Sequence, residues 1–308
     1  MATGLLFPGQ GSQFVGMGRE LSRAFPQAAE AFEEADDLLG LHLSRLAWEG
    51  PESELTETRN AQPALLVHSV AVHRVVGGEV GTVVVAAGHS LGEFSAHVAA
   101  GTLSFRDALE AVRLRGELMY ESGVERPGTM AAVLGMDDEE VEEVCRAVRE
   151  EGRICVPANF NSRGQVVISG EVEGVDEAMR RAGEGGAKRV VPLPVSGAFH
   201  SPLMAPAEEG LRERLETTKF SDPRVPVISN VTARAVHDGS EARELLVKQL
   251  TSPVRWAASV GEMVSTGVER FYELGSGSVL CGLNKRNARG IPCRSLGEPS
   301  DFDVLEEE

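Results

Sequence analysis

Ser90 stands between two glycines in GHSLGE, residues 88–93, directly after the apolar run TVVVAA at 82–87. A buried strand, then G-x-S-x-G, then a helix is the arrangement that lifts a serine hydroxyl onto a sharp turn. Gly88 and Gly92 remove side chains where the chain reverses and where the new helix passes the strand. The helix start favours negative charge at the serine oxygen. The chemistry would be nucleophilic attack on an acyl carbon; the competing reading is a serine that only caps a helix. A second glycine-rich stretch, FPGQGSQ at 7–13, ends another apolar run. Gly9, Gly11 and Gly16 do not make G-x-G-x-x-G, which argues against a dinucleotide site. Such a turn can instead aim a backbone N–H at a reacting centre, the donor an oxyanion hole needs beside the N–H of the residue after the nucleophile.

The elements that must hold these turns alternate between short apolar runs and helical patterns, which predicts an α/β fold. GLLFPG reads as a first strand, 14–36 as a helix, 61–76 as a helix and TVVVAA as a fully buried strand. Helical patterns follow from 89 and over 105–122. Residues 128–195 differ: TMAAVLG, RICVPA, QVVISG and KRVVPLPV read as strands, with helices over 137–150 and 172–184. That order is βαββαβ, a ferredoxin-like small domain set into a larger one. VPVISN (225–230) and RFYELG (270–275) then resume the α/β pattern.

Composition narrows the function classes. With 308 residues, 42% hydrophobic and 25% charged, the chain can bury a sizeable core. A formal net charge of -17 argues against nucleic acid, because phosphate binding needs a basic face. The acidic runs DDEEVEEV and LEEE read as solvated surface. No stretch approaches eighteen uninterrupted apolar residues, and MATGLLFPGQGSQ has neither the basic start nor the apolar core of a signal peptide. A cytoplasmic protein with no membrane span is therefore expected. Cys145, Cys155, Cys281 and Cys293 form no CxxC pair, and the seven histidines form no HExxH, so no metal site is predicted and all four cysteines are read as reduced thiols.

In this order, FPGQGSQ, GHSLGE, LRG, NFNSRGQVVISG, PVSGAFHSPLM and QLTSPVRW resemble the malonyl-CoA:acyl carrier protein transacylases, from residue 4 to about residue 286. The resemblance implies an α/β-hydrolase-like catalytic domain, residues 1–127 and 196–308, with the ferredoxin-like domain, residues 128–195, inserted in it. It implies malonyl transfer from coenzyme A to the phosphopantetheine thiol of acyl carrier protein in fatty acid synthesis. No bound cofactor is implied, and a monomer is. Residue by residue, Ser90 becomes the nucleophile and His200 its general base, oriented by the backbone carbonyl of Gln249 where other serine enzymes use a carboxylate. Gln10 and Leu91 become the oxyanion donors, and Arg115 the guanidinium that receives the malonyl carboxylate through two parallel bonds. Phe199 walls the pocket, and GAFH resembles malonyl-selective acyltransferases, whereas YASH accompanies methylmalonyl. Asn161 matches a cleft-lining position, with turn structure as the alternative, and His89 is read as a packed neighbour of the nucleophile. Lys285 and Arg286 match the basic residues that dock the acidic carrier; Lys188 and Arg189 compete for that role or for the coenzyme A phosphates. Phe94 replaces the family's usual tyrosine, and Ser276 and Ser278 stand where proline and lysine are common.

Three other readings remain at this point. The acceptor is a polyketide carrier; or water replaces the carrier thiol and the chain is a serine hydrolase, oriented by one of the many acidic residues between Ser90 and His200; or the chain is a binding subunit that keeps the shape without the chemistry.

Overall fold

In a computed structural model, which describes residues 1–195 and 197–306, the chain is a mixed α/β protein with two sheets. The described residues form ten strands: β1 (Ala2–Phe7), β2 (Thr82–Gly88), β3 (Gly128–Leu134), β4 (Cys155–Ser162), β5 (Gln165–Glu171), β6 (Arg189–Pro192), β7 (Val227–Ile228), β8 (Ala235–Val236), β9 (Arg270–Leu274) and β10 (Cys293–Leu296). The larger sheet runs β10-β9-β1-β2-β7-β8, parallel except for the β7–β8 pair. Parallel strands need helical crossovers, and the crossovers cover both faces, which is why the strand interiors are mostly apolar, with Thr3, Arg270 and Glu273 as buried exceptions. Leu5 and Phe7 face one core with Leu65 and Phe94, while Leu6, between them, faces a second core with Trp256 and Phe271.

The smaller sheet runs β4-β5-β3-β6, and every pair is antiparallel. Its side chains alternate between two environments. Ala131 and Val133 pack under the helices Asp138–Glu150 and Val172–Glu184, with Val141, Cys145, Ile168 and Val175. Met130, Ala158 and Val167 point the other way and join the main core. A period of two thus lets one sheet close its own small core and roof the large one. Backbone bonds make the seam: Phe160 N–H donates to the Val254 carbonyl and Val254 N–H to the Ala158 carbonyl, each at 2.8 Å.

Three expectations need correction. The helix expected over 14–36 is broken into Arg19–Ala24 and Pro26–Leu39, with Phe25 extended between them, because the ring of Pro26 excludes helical backbone at the residue before it. The strand expected over 188–195 ends at Pro192; the Leu193 N–H still donates to the Met130 carbonyl of β3 at 2.9 Å, and the chain turns away after it. Cys281 and Cys293, read as thiols, are joined by a disulfide. Twelve residues apart in sequence, they meet because the helix Val279–Asn287 runs back along the sheet into β10 and sets their Cα atoms 5.2 Å apart. Cys145 and Cys155 are free and buried.

The tightest point of the fold is where the helix Gly92–Ala99 leaves β2 and passes β1. A Cβ on Gly88 would sit 1.9 Å from the Gly92 carbonyl group, and one on Gly92 would sit 2.1 Å from the Phe7 carbonyl oxygen. Both obstacles are backbone, which cannot turn aside as a side chain can. Gly92→Ala is therefore expected to lower the unfolding free energy by roughly 3 kcal/mol or to prevent folding, as forced overpacking does. Urea unfolding followed by circular dichroism checks this, and a variant within 0.5 kcal/mol of wild type, about the scatter of surface changes, would contradict it.

Candidate active site

The turn after β2 places Ser90 at φ 51°, a left-handed conformation that a residue with a Cβ rarely adopts. Three polar contacts hold it there. Ser90 N–H donates to Asn230 Oδ1 at 2.7 Å, Asn230 Nδ2 donates to the Gly88 carbonyl at 2.8 Å, and Gln249 Nε2 donates to the Ser90 carbonyl at 3.0 Å. Strain of about 1–3 kcal/mol persists only where surroundings over-determine it, and here the N–H and carbonyl of Ser90 and the Gly88 carbonyl are each held by a side-chain amide. The result is a hydroxyl clear of its own backbone at the floor of a cleft of about 510 Å³.

His200, also left-handed at φ 57°, brings Nε2 to 2.8 Å from Ser90 Oγ. Its Nδ1 lies 2.9 Å from the Gln249 backbone carbonyl. A carbonyl only accepts, so Nδ1 carries the proton and Nε2 keeps a lone pair for the serine O–H. Burial, with the nearby Arg115 charge second, pushes the His200 pKa down to about 3. The imidazole is thus neutral and ready to accept a proton.

Arg115 comes from the long helix Phe105–Glu125 and is 1% exposed, so its charge must be answered inside the protein. Nη1 donates to Gln62 Oε1 at 2.5 Å, and Nη2 donates to Gln249 Oε1 at 2.9 Å and to Ser90 Oγ at 3.1 Å. Burial lowers its pKa to about 10 while the charge of Glu93 opposes the fall, so it remains a cation at neutral pH. Glu93, in the first turn of the elbow helix, is fully buried and its pKa is raised to about 7 by that burial.

The structure brings most of the expected residues to this cleft. Gln10, Leu91, Arg115, Phe199 and His200 line it with Ser90. Among the described residues, neither the Gln10 nor the Leu91 backbone N–H has an acceptor, as two donors awaiting an oxyanion should be. Gln10 is fixed by its side chain, whose Oε1 accepts from Thr58 Oγ1 at 2.5 Å. Asn161 does not line the cleft; Asn159, two residues earlier on β4, does. The Asn161 Oδ1 instead lies 2.8 Å from His89 Nε2, and His89 also packs on the Trp256 ring. The Asn161 carbonyl accepts from Asn287 Nδ2, which anchors the end of the helix carrying Lys285 and Arg286 beside the elbow. Both basic side chains are exposed and, among the described residues, form no ion pair. Lys188 and Arg189 are exposed at the start of β6, at the end of that strand away from the cleft-lining Leu193–Val195. Phe94 is fully buried with the Arg115 guanidinium carbon 5.9 Å from its ring centroid.

Four contributions went unread in the sequence: Gln62, Glu93, Asn230 and the side chain of Gln249. Gln62 in AQPALLVHSV and Asn230 ending VPVISN are polar residues in largely apolar stretches, whereas Glu93 and Gln249 stand among other polar residues. A buried polar group needs a partner, so that signal was available for Gln62 and Asn230, but not which partner each would meet. No group of side chains among the described residues could hold a metal ion, and no described helix is long and apolar enough to cross a membrane.

Comparison with known proteins agrees with the geometry. The model of the acyl transferase domain family matches residues 5–297. The malonyl CoA-acyl carrier protein transacylase of Bacillus subtilis is 48% identical over 299 residues, 97% of this chain and 94% of that one. Its Escherichia coli K12 counterpart is 45% identical over 96% of both chains. Among solved structures, the acyl-carrier-protein S-malonyltransferase of Bartonella henselae superposes with a TM-score of 0.94 at 43% identity, covering 99% of this chain and 100% of that one. A malonyl transacylase in complex with a type II polyketide synthase acyl carrier protein superposes with a TM-score of 0.95 at 41% identity over the whole of both chains.

The burial of His200 sets an expectation independent of any relative. Its ring signals in an NMR titration should show no protonation between pH 5 and 8; a midpoint near the ordinary histidine value of 6.5 would contradict the buried geometry. The sign for stability follows. An unfolded His200 takes up a proton near 6.5 and the folded one only near 3, so its contribution is complete above 6.5 and is lost as pH falls towards 3.

Proposed function

The chain belongs to the malonyl-CoA:acyl carrier protein transacylases of the acyl transferase family, and we propose that it moves a malonyl group from malonyl-CoA to the phosphopantetheine thiol of an acyl carrier protein, in fatty acid synthesis, through an ester on Ser90. The observation that carries the mechanism is one hydroxyl with two partners: the lone pair of His200 at 2.8 Å and the Arg115 guanidinium at 3.1 Å.

His200 Nε2 takes the Ser90 proton as Oγ attacks the thioester carbonyl. The tetrahedral oxygen receives the Gln10 and Leu91 N–H groups, donors already in place and so needing no reorganisation. The imidazolium, whose Nδ1–H points at the Gln249 carbonyl, returns the proton to the departing coenzyme A sulfur. In the second half the carrier thiol gives its proton to His200, attacks the seryl ester, and Ser90 recovers a proton as the acyl group leaves. An imidazole with so low a pKa holds a proton only while the oxyanion beside it exists, which ties proton transfer to carbon–sulfur chemistry. Malonyl-CoA and the carrier's phosphopantetheine are substrates, and no separate cofactor enters.

Arg115 supplies acyl selection. Once Ser90 Oγ is part of an ester it is a weaker acceptor, and the Nη2–H that bound it turns to the free carboxylate of the acyl group. Phe199 and Met119 wall the same space. Lys285 and Arg286, basic and exposed in a chain of net charge -17, suit an acidic carrier arriving beside the elbow, and they fit this role better than Lys188 and Arg189. Asn161 acts through His89, beside the nucleophile, with no contact to substrate.

The architecture supports the finer description as well. The small sheet, in its own order of four strands, reads 4-1-3-2 and antiparallel with both helices on one face, the ferredoxin-like arrangement, and residues 128–195 contain it. The parallel sheet with its strand–elbow–helix turn supports an α/β-hydrolase-like reading of residues 1–127 and 196–308. We place the protein in the cytoplasm as a monomer serving separate synthase components.

Intact mass after brief incubation with malonyl-CoA should rise by one malonyl group on Ser90, and adding phosphopantetheinylated carrier should discharge it. Loss of the adduct to water at the same rate without carrier would make the chain a hydrolase, and no adduct at all a binding subunit. Ser90→Ala should give no adduct. Arg115→Ala should lower malonyl kcat/KM by roughly 2–4 kcal/mol in transition-state binding, the scale of a charge-assisted contact left unpaired, and spare acetyl transfer. Equal losses for both acyl groups would remove Arg115 from acyl selection.

A further inference from the structure

Glu93 follows the nucleophile by three residues, is fully buried, and is used by no step of the transfer described above. A buried carboxylate is costly unless it is paired or hydrogen-bonded. Its Oε2 accepts from Gln249 Nε2 at 2.6 Å and from the Asn230 backbone N–H at 3.2 Å.

The consequence lies in the Gln249 side chain. An amide has one end that donates and one that accepts, and the two are nearly equal in shape, so its neighbours decide which way it points. Nε2 faces two oxygens that can only accept, Glu93 Oε2 and the Ser90 carbonyl at 3.0 Å. Oε1 therefore faces Arg115 Nη2, at 2.9 Å. Reversing the amide would set oxygen against two oxygens and an NH₂ group against a guanidinium. A proton taken up by Glu93 leaves this intact, because Oε1 of the carboxyl has no partner among the described residues and can hold it while Oε2 still accepts.

We propose that Glu93 is a positioning residue for acyl selection: by fixing the polarity of the Gln249 amide it presents an acceptor to Arg115 and aims the guanidinium at the acid-bearing acyl group. The proposal rests on the reading of Arg115 given above. Glu93→Gln keeps the shape but can turn an N–H as well as an oxygen towards Gln249, which leaves only the Ser90 carbonyl and Arg115 to fix the polarity of that amide. The charge that helps keep Arg115 at home is lost as well.

The test is kcat and KM for malonyl-CoA and for acetyl-CoA, with one carrier, in wild type, Glu93→Gln and Gln249→Met. The methionine variant keeps the backbone carbonyl that orients His200 and deletes only the amide. In Glu93→Gln the ratio of malonyl to acetyl kcat/KM should fall roughly tenfold, the loss of one hydrogen bond to a charged group, mostly through the KM for malonyl-CoA. Gln249→Met should show the same shift. Equal losses for both substrates, which a purely structural role would give, or an unchanged ratio, overturn the proposal. Should Glu93→Gln not fold, an unchanged ratio in Gln249→Met still overturns the proposal, because the proposed action of Glu93 on Arg115 runs through that amide. A failure of the Arg115 reading looks different: Arg115→Ala would leave the ratio at its wild-type value, without any change at Glu93.

Discussion

A guanidinium held at 1% exposure sets the terms for everything around it. Arg115 cannot be screened by water, so acceptors must come to it, and they come from three separate parts of the chain: Gln62 on the helix Thr58–Val76, Gln249 after the helix Gly239–Lys248, and Ser90 on the elbow. Two of the three are neutral amides and none is a direct ion pair. That arrangement keeps Glu93, whose charge favours the cation, behind the Gln249 amide and leaves no carboxylate bonded to the guanidinium, which suits the proposed reception and release of an anionic acyl group. The same charge, after burial, disfavours a protonated His200, so the proposed acyl-selecting cation also bears on the proposed general base.

Gln249 is the residue on which these demands converge. Its backbone carbonyl selects the His200 tautomer, its Nε2 supports the strained Ser90 backbone and meets Glu93, and its Oε1 meets Arg115. Replacing the carboxylate of an ordinary triad by a carbonyl has a physical logic here. A third full charge against the imidazole would raise its pKa and compete with the incoming malonyl carboxylate for Arg115. A carbonyl dipole orients the ring without adding charge to the pocket.

The two sheets contribute in different ways. The parallel sheet fixes the elbow through backbone contact between β1, β2 and the helix that follows, so Ser90 and the Gln10 turn share one rigid base. The smaller sheet roofs the cleft with Met130, Asn159 and the Leu193–Val195 segment and is stitched to the larger body through Val254. The cleft between them is bounded by backbone hydrogen bonds at its base and by side chains at its roof.

Local sequence carried the elements that rest on near neighbours. A buried run followed by G-x-S-x-G specifies a strand, a turn and a helix whatever the rest of the chain does. The period-two strands and amphipathic helices of 128–195 specify a compact βαββαβ unit because its partners are close in sequence. The order of the larger motifs also pointed to Ser90, His200 and Arg115. What distance in sequence concealed, only the fold could decide. Gln62 and Gln249 reach Arg115 across 53 and 134 positions, Asn230 reaches Ser90 across 140, and Cys281 meets Cys293 through a reversal of the chain. A polar side chain in an apolar run announces that it needs a partner. Which partner it finds depends on how helices pack across a sheet, and that is settled by the burial of the whole core.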